Sequence, residues 1–448
     1  MKQPLFALFL FASCGSDASK PTEAPKQVLP GQALPTQSPS SGPTPPKPIK
    51  PVKKSVTIAA VGDVLPHGPL KESAAKHNLV GSDGVSTNHA GYDTLFDRAK
   101  VGFTDADISF ANLESPIAPK NDHGSRPFVF NAPVDLLGGL TFFGADVLSA
   151  ANNHAYDQGR AAFSETQDNL DAAGFISVGV GRNQAEAYTA KVIEKNGLKI
   201  CFLGQARLLN GNLQPKSDKD PQLFFVPYGK EGVDAKKKAI EAIKEAKKGC
   251  DFLLMSIHWG VEYELVPHGD DQVWAKAQLD AGVDGILGHH PHVLQPLEEY
   301  TTKDGRKTFV AFSMGNFVSN QTKAHNKGNG KIAHTRDSMI LRVTIAPRAD
   351  GLEGPQGVLE KVGYYPAWTD RQTRPDEKSL GMPIIRGVVV DQEIKDAEQA
   401  LATLKAKSTL TTEEQSDKKQ WQERLNLFNT RRKELSKIVG EKYVLPLP

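Results

Sequence analysis

TIAAVGDVLPH, residues 57–67, is an apolar run that ends abruptly in two metal-liking side chains, Asp63 and His67. The stretch Ile58–Val61 suits a strand buried on both faces of a central sheet. The same design recurs five times. ISFANLE (108–114) ends in Asn112 and Glu114, and VLSAANNHAYD (147–157) in Asn153, His154 and Asp157. LLMSIHWGVE (253–262) carries His258 and Glu262, GILGHHPH (285–292) carries His289, His290 and His292, and VAFSMGNF (310–317) carries Asn316. In open α/β sheets ligands bind beyond the carboxyl ends of the strands. The pattern therefore predicts that Asp, Glu, Asn and His gather on one rim.

Outward from these ends, strand-like runs are predicted near 56–61, 107–111, 146–151, 176–180, 191–194, 198–204, 252–257, 284–287, 308–313 and 338–345. Helices are predicted over Gly159–Ala173, closed by Gly174, and over Val233–Lys248, closed by Gly249. A third follows the cap Asp270-Asp271 and ends at Gly282. Alternating strands and helices indicate an α/β layered domain. Asn196-Gly197 between two strand runs signals a tight hairpin, so part of the sheet is antiparallel. A mixed-sheet sandwich over 55–350 accommodates both. Beyond 350, Pro and Gly punctuate 351–390, and two amphipathic helices are predicted at Glu393–Lys405 and Asp417–Val439. Residues 351–448 read as a C-terminal extension packing on the domain.

With 448 residues and a net charge of +2, the chain has no electrostatic footprint for nucleic acid. The start is more informative. Lys2, the apolar run Leu5–Ala12 and then Ser13-Cys14-Gly15 look like a lipoprotein signal peptide over 1–14, with Cys14 acylated after cleavage. A signal peptide cut elsewhere is the other reading. Residues 15–54, rich in Pro, Ser, Thr, Gln and Lys, cannot bury a core and read as an extended tether. Together these place the domain outside the cytoplasm, lipid-anchored at the cell envelope. Cys201 and Cys250 are expected to be two buried thiols rather than a disulfide.

Taken singly, the polar clusters are ambiguous. Asp63 alone reads more readily as a helix cap or an Asx turn, Glu114 as a solvated acid, Asn152-Asn153 as a turn, and Trp259 and Tyr263 as either pocket wall or core. The three histidines within 289–292 are more specific: if the loop stays extended around Pro291, His290 and His292 point to one side. Asp157 can accept the second ring proton of His154 and so orient it. Carboxylate, imidazole and amide ligands together suit Mn, Fe or Zn better than Mg or Ca. Two such ions a few ångströms apart serve hydrolysis of phosphoesters and, less often, of amides.

Taken together, VGDV (61–64), NLE (112–114), NNHAYDQG (152–159), HWGVEY (258–263), GHHPHVLQPLE (288–298) and SMGNF (313–317) resemble the CapA family of capsule-synthesis and poly-γ-glutamate biosynthesis proteins, within the calcineurin-like metallophosphatase superfamily. The resemblance spans about 56–320. It implies a four-layer α/β/β/α sandwich with the site at its rim. It also implies Asp63 as a ligand of the first metal, Glu114 as the bridging carboxylate, Asn153 as a ligand of the second metal and His154 as proton donor to the leaving group. His258, His290 and His292 complete the coordination. The chain departs from the superfamily in two places: Leu65 stands where the first motif usually has His, with His67 two residues later, and Glu114 replaces the usual Asp. Arg126 and Asn316 are candidates for contact with an anionic substrate.

Three functions follow as expectations: a surface-anchored protein of capsule, poly-γ-glutamate or cell-envelope polymer metabolism with a dinuclear-metal hydrolase site of phosphoesterase type; a tethered accessory protein for synthesis or export of an anionic polymer, working with membrane-bound synthase or export partners; and a γ-glutamyl amide hydrolase using the same site.

Overall fold

The structure, a computed structural model, describes residues 54–447 apart from 125, 212–214, 216, 323–333 and 350–353. The expected signal peptide, Cys14 and the tether as far as residue 53 lie outside the described residues.

In chain order the strands are β1 (Val56–Val64), β2 (Ile108–Leu113), β3 (Val147–Ser149), β4 (Ile176–Val178), β5 (Val180–Gly181), β6 (Lys191–Lys195), β7 (Leu198–Ala206) and β8 (Gln222–Leu223). They continue with β9 (Phe252–His258), β10 (Gly285–His289), β11 (Leu297–Thr301), β12 (Lys307–Ala311), β13 (Asn316–Val318), β14 (Asp337–Pro347), β15 (Gly357–Asp370) and β16 (Arg386–Val389). The helices are α1 (Gly68–Lys76), α2 (Asp135–Phe143), α3 (Gly159–Ala172), α4 (Gln184–Ala187), α5 (Gly232–Lys248), α6 (Gly269–Ala281), α7 (Val390–Lys405) and α8 (Thr412–Val439).

One sheet runs β16-β15-β14-β1-β2-β3-β4, with β13 beside the end of β1. The other runs β11-β12-β10-β9-β7-β6. In the first sheet β1 to β4 are parallel and β14 to β16 antiparallel; in the second the centre is parallel and both edge strands, β6 and β11, are antiparallel. The two-residue period of a strand splits each central strand between two cores. On β1, Val56, Ile58 and Ala60 face the core between the sheets, whereas Ala59 and Val61 face the helices. On β7, Ile200 and Phe202 point inward while Cys201 and Leu203 point outward. Leu70 of α1, Leu136 and Leu140 of α2, and Phe163 of α3 cover the first sheet. Ile243 of α5, with Trp274 and Leu279 of α6, covers the second. Full burial of each such side chain stabilises by about 1.5–3 kcal/mol. The result is an α/β/β/α sandwich built from mixed sheets, as expected.

The hairpin at Asn196-Gly197 is present, with φ of 52° and 79° at the two residues. The division expected at 350 falls between β14 and β15, which pair antiparallel along their length. Residues 357–370 and 386–389 are therefore strands of the first sheet, and the helices α7 and α8 follow them. Phe428, Leu435 and Val439 of α8 share the inner core with Tyr364, Trp368 and Val388. The Pro and Gly of 351–390 had masked β15, whose sequence GVLEKVGYYPAWTD carries both.

Cys201 and Cys250 form a disulfide, correcting the expectation of two free thiols. Both are buried as expected. Asp251 N–H bonds to the Lys199 carbonyl at 2.9 Å, which sets Cys250 beside the outward face of β7. That adjacency across 49 residues is a product of strand pairing and has no local signal in the sequence.

Candidate metal centre

Because β1, β2, β3, β9 and β10 are parallel within their sheets, their carboxyl ends meet on one rim where the two sheets face each other. Asp63 is the penultimate residue of β1, Glu114 follows β2, Asn153 and His154 follow β3, His258 ends β9, and His290 and His292 follow β10. All seven are buried. The ligand atoms of Asp63, Glu114 and His258 lie within 4.8 Å of one another, as do those of Glu114, His290 and His292. The two trios share Glu114.

His258 Nε2 is the point of closest convergence. It lies 2.8 Å from Asn153 Oδ1, 3.1 Å from His290 Nδ1 and 3.4 Å from Glu114 Oε1. Across the site His292 Nδ1 is 3.3 Å from Asp63 Oδ2, and its Nε2 is 3.9 Å from Glu114 Oε1. Asn112 donates to Asp63 Oδ1 at 2.8 Å. His154 Nδ1 meets Asp157 Oδ2 at 2.7 Å, leaving Nε2 facing inward, 4.0 Å from Glu114 Oε1. Asp157 Oδ2 also accepts the Phe130 N–H at 2.6 Å, and the Phe130 ring lies 4.4 Å from that of His154.

The electrostatics are those of a place for cations. Burial, then the charges of Asp63, Glu262 and Asp157, push the Glu114 carboxyl well above its ordinary range. Neither of its oxygens has a hydrogen-bond partner among the described residues. Burial holds His258 well below the usual imidazole range and, with His292 adding to it, takes His290 down to about 3. Both rings are thus neutral and offer lone pairs. Burial raises the Asp63 carboxyl, but the hydrogen bond and charge of His292 outweigh it and leave Asp63 lowered. Burial lowers His292, and Asp63 more than restores it. A buried carboxylate without donors, ringed by neutral imidazoles and an amide oxygen, is costly unless a cation satisfies it. The donor set therefore fits one or more divalent ions of the Mn, Fe or Zn type.

The loop that carries the histidines is not extended. His290 and His292 have φ of 97° and 57°, and Tyr263, whose N–H bonds to the Pro291 carbonyl, has 65°. Left-handed conformations at non-glycine residues cost of order 1–3 kcal/mol each and concentrate where side chains must be aimed. Two reversals of the chain, rather than a straight segment, bring both rings to the metal side.

The other expected residues fall in different places. His289 points between the sheets, stacked 5.7 Å from Phe110 and 3.1 Å from Ser256 Oγ; burial takes it down to about 4. His67 is half-buried, its ring 5.1 Å from Phe130, and it joins neither trio; Leu65, in the superfamily's His position, is core. Arg126 is exposed on a turn that pairs with Val129, next to Phe130. Asn316, a candidate for substrate contact, is fully buried behind His292 instead. Its Nδ2 donates to the Thr335 carbonyl at 2.9 Å and to Gln321 at 3.0 Å, so its Oδ1 faces His292 Nδ1 at 3.0 Å. It directs His292 Nε2 toward Glu114. Trp259 is core, bonded to the Phe312 carbonyl, while Tyr263 is half-buried at the rim, 6.1 Å from the His292 ring. Asn210 and Phe130 were not foreseen. Asn210-Gly211 reads only as a turn, and Phe130 carries no pattern at all.

Residues 57–321 match the family described as Bacterial capsule synthesis protein PGA_cap, and the match covers every member of the two trios. The chain is 27% identical over 315 residues to the capsule biosynthesis protein CapA of Bacillus anthracis, covering 67% of this chain and 69% of that one. It is 29% identical over 274 residues to the PGA biosynthesis protein CapA of Bacillus subtilis (strain 168), covering 59% and 64%. The chain thus spans about two thirds of the length of these relatives. It belongs to the bacterial capsule synthesis family PGA_cap, on a metallophosphatase-like sandwich.

Proposed function

We propose that this chain is an exported, envelope-anchored, metal-dependent hydrolase acting on an anionic capsule-type polymer, with poly-γ-glutamate as the first substrate to try. The observation that carries the reading is Glu114: fully buried, without hydrogen-bond partners among the described residues, and common to two ligand trios. The names of the two relatives, which refer to capsule and PGA biosynthesis, supply the substrate class. The Cys201–Cys250 disulfide supports export, because such bonds persist in oxidising compartments.

In this reading Asp63, Glu114, Asn153, His258, His290 and His292 hold two divalent ions. Bound there, the ions supply Lewis acidity and a nucleophile at neutral pH. His154 donates a proton from Nε2 to the departing alkoxide or amine. Asp157 holds Nδ1 and so keeps that face of the ring inward. Arg126, on the exposed turn beside Phe130, meets the carboxylates or phosphates of the incoming chain.

The test is metal content and turnover of the purified chain with added Mn²⁺, on phosphodiesters and on poly-γ-glutamate, beside Asp63→Ala/His290→Ala. Bound metal with turnover lost in the variant supports the hydrolase. Bound metal without turnover on either substrate leaves a tethered accessory protein as the better reading.

A further inference from the structure

Asn153 presents an amide, and the two ends of an amide are nearly the same size. Only the oxygen can ligate a metal; the NH₂ end would repel one. The ligand role given to Asn153 above therefore requires something to choose the end. The choice cannot come from His258, whose Nε2 can face either end, accepting from N–H or sharing a cation with the oxygen.

We infer that Asn210 is a positioning residue for the metal centre: its side-chain carbonyl selects the orientation of the Asn153 amide and so creates the amide-oxygen ligand. The inference rests on the metal-site reading above. Asn153 Nδ2 donates to Asn210 Oδ1 at 3.2 Å, on the side away from His258, while Asn153 Oδ1 faces His258 Nε2 at 2.8 Å. The Asn210 backbone N–H bonds to the Asn153 carbonyl at 3.0 Å, so main chain as well as side chain registers one residue on the other. Asn210 Nδ2 lies 3.2 Å and 3.5 Å from the two ring nitrogens of His154. The same side chain thus touches the ligand and the proton donor. Asn153 follows β3 of the first sheet and Asn210 follows β7 of the second, so this contact clasps the two halves of the sandwich at the mouth of the site. Asn210 is exposed, and no core packing demands an amide there.

The experiment compares Asn210→Leu, which keeps the volume and loses the acceptor, with Asn210→Asp, which keeps an acceptor oxygen for Asn153. Mn²⁺ binding is followed by calorimetry and by the spin resonance of the bound ion, beside thermal melts in chelator. Outer-shell partners of metal ligands typically account for 10–100-fold in affinity. The expected result is a loss of that size at one of two sites in Asn210→Leu, near-native binding in Asn210→Asp, and melts that match wild type. Wild-type binding in Asn210→Leu overturns the inference, and so does equal loss in both variants. A wild-type chain that binds no Mn²⁺ overturns the metal-site reading itself, and this inference with it.

Discussion

Oε1 of Glu114 lies 3.4 Å from Nε2 of His258, yet neither oxygen of Glu114 has a hydrogen bond among the described residues. Without a cation, that carboxyl keeps its proton in the folded chain at pH values where the unfolded chain has lost it. The folded state then binds more protons than the unfolded one, and its stability falls as pH rises above about 4.5. Glu114→Gln removes this term and gives an N–H that can donate to the lone pairs around it. In chelator at pH 7 the variant should be more stable than wild type by about 1–3 kcal/mol, the scale of an unsatisfied buried group. It should also lose metal binding. Urea titrations from pH 4 to 8 check this: a difference from wild type that stays flat with pH, or a destabilised variant, refutes it.

In the proposed mechanism His154 and Asp157 act at the leaving group. His154→Ala should reduce turnover by about 10²–10⁴-fold on poorly leaving alkoxides while metal content is unchanged. The loss should shrink on p-nitrophenyl esters, whose leaving group needs no proton. Asp157→Asn should give the same pattern at smaller size, because the ring loses its Nδ1 anchor but keeps its place against Phe130. Equal losses on both substrate types would remove His154 from the proton-donor role.

The disulfide closes a loop across 49 residues on the outer face of the second sheet. Replacing both cysteines, Cys201→Ala with Cys250→Ala, should lower unfolding free energy by about 2–4 kcal/mol. Urea unfolding of wild type with and without reductant should show a shift of the same sign. Matching curves would show that the bridge contributes nothing.

Glu393 of α7 is buried among Arg98, Arg374 and Arg424, bonding to Arg98 at 3.1 Å and Arg424 at 2.8 Å. Burial raises its carboxyl, but Arg374, Arg98 and Arg424 outweigh that and leave it lowered. Its contribution is complete above the unfolded value near 4.5 and is lost as pH falls through the lowered folded value. Glu393→Gln should cost about 3–5 kcal/mol at pH 7, since it strands buried arginines, and less near pH 3. A penalty that does not shrink in acid would assign the effect to packing.

Much of the site was legible because its chemistry is local: each ligand sits within a few residues of an apolar strand, so strand ends and ligands are read together. Gly62 shows where that reading stops. Next to Asp63 it suggests a sharp turn, but a Cβ there would lie 2.0 Å from the Gly315 carbonyl oxygen. Its smallness serves the close approach of β13 to β1, with the Asp63 N–H bonded to that same oxygen at 3.0 Å. Asn316 likewise carried a polar side chain at a strand end, and only its two carbonyl-type acceptors reveal that its Oδ1 is turned toward His292.

By itself the sequence determined which residues end the strands, the two-residue alternation that lets β1 and β7 face two cores, the Asn196-Gly197 reversal and the family. Those are properties of neighbours along the chain. Tertiary structure alone decided that Glu114 is shared by both trios, that His67 stands aside, that His290 and His292 reverse the backbone, that Asn210 grips Asn153, and that Cys201 meets Cys250. Each of these depends on how two sheets are set against each other, and distances across a sandwich are fixed by packing of the cores between and around the sheets rather than by any local pattern.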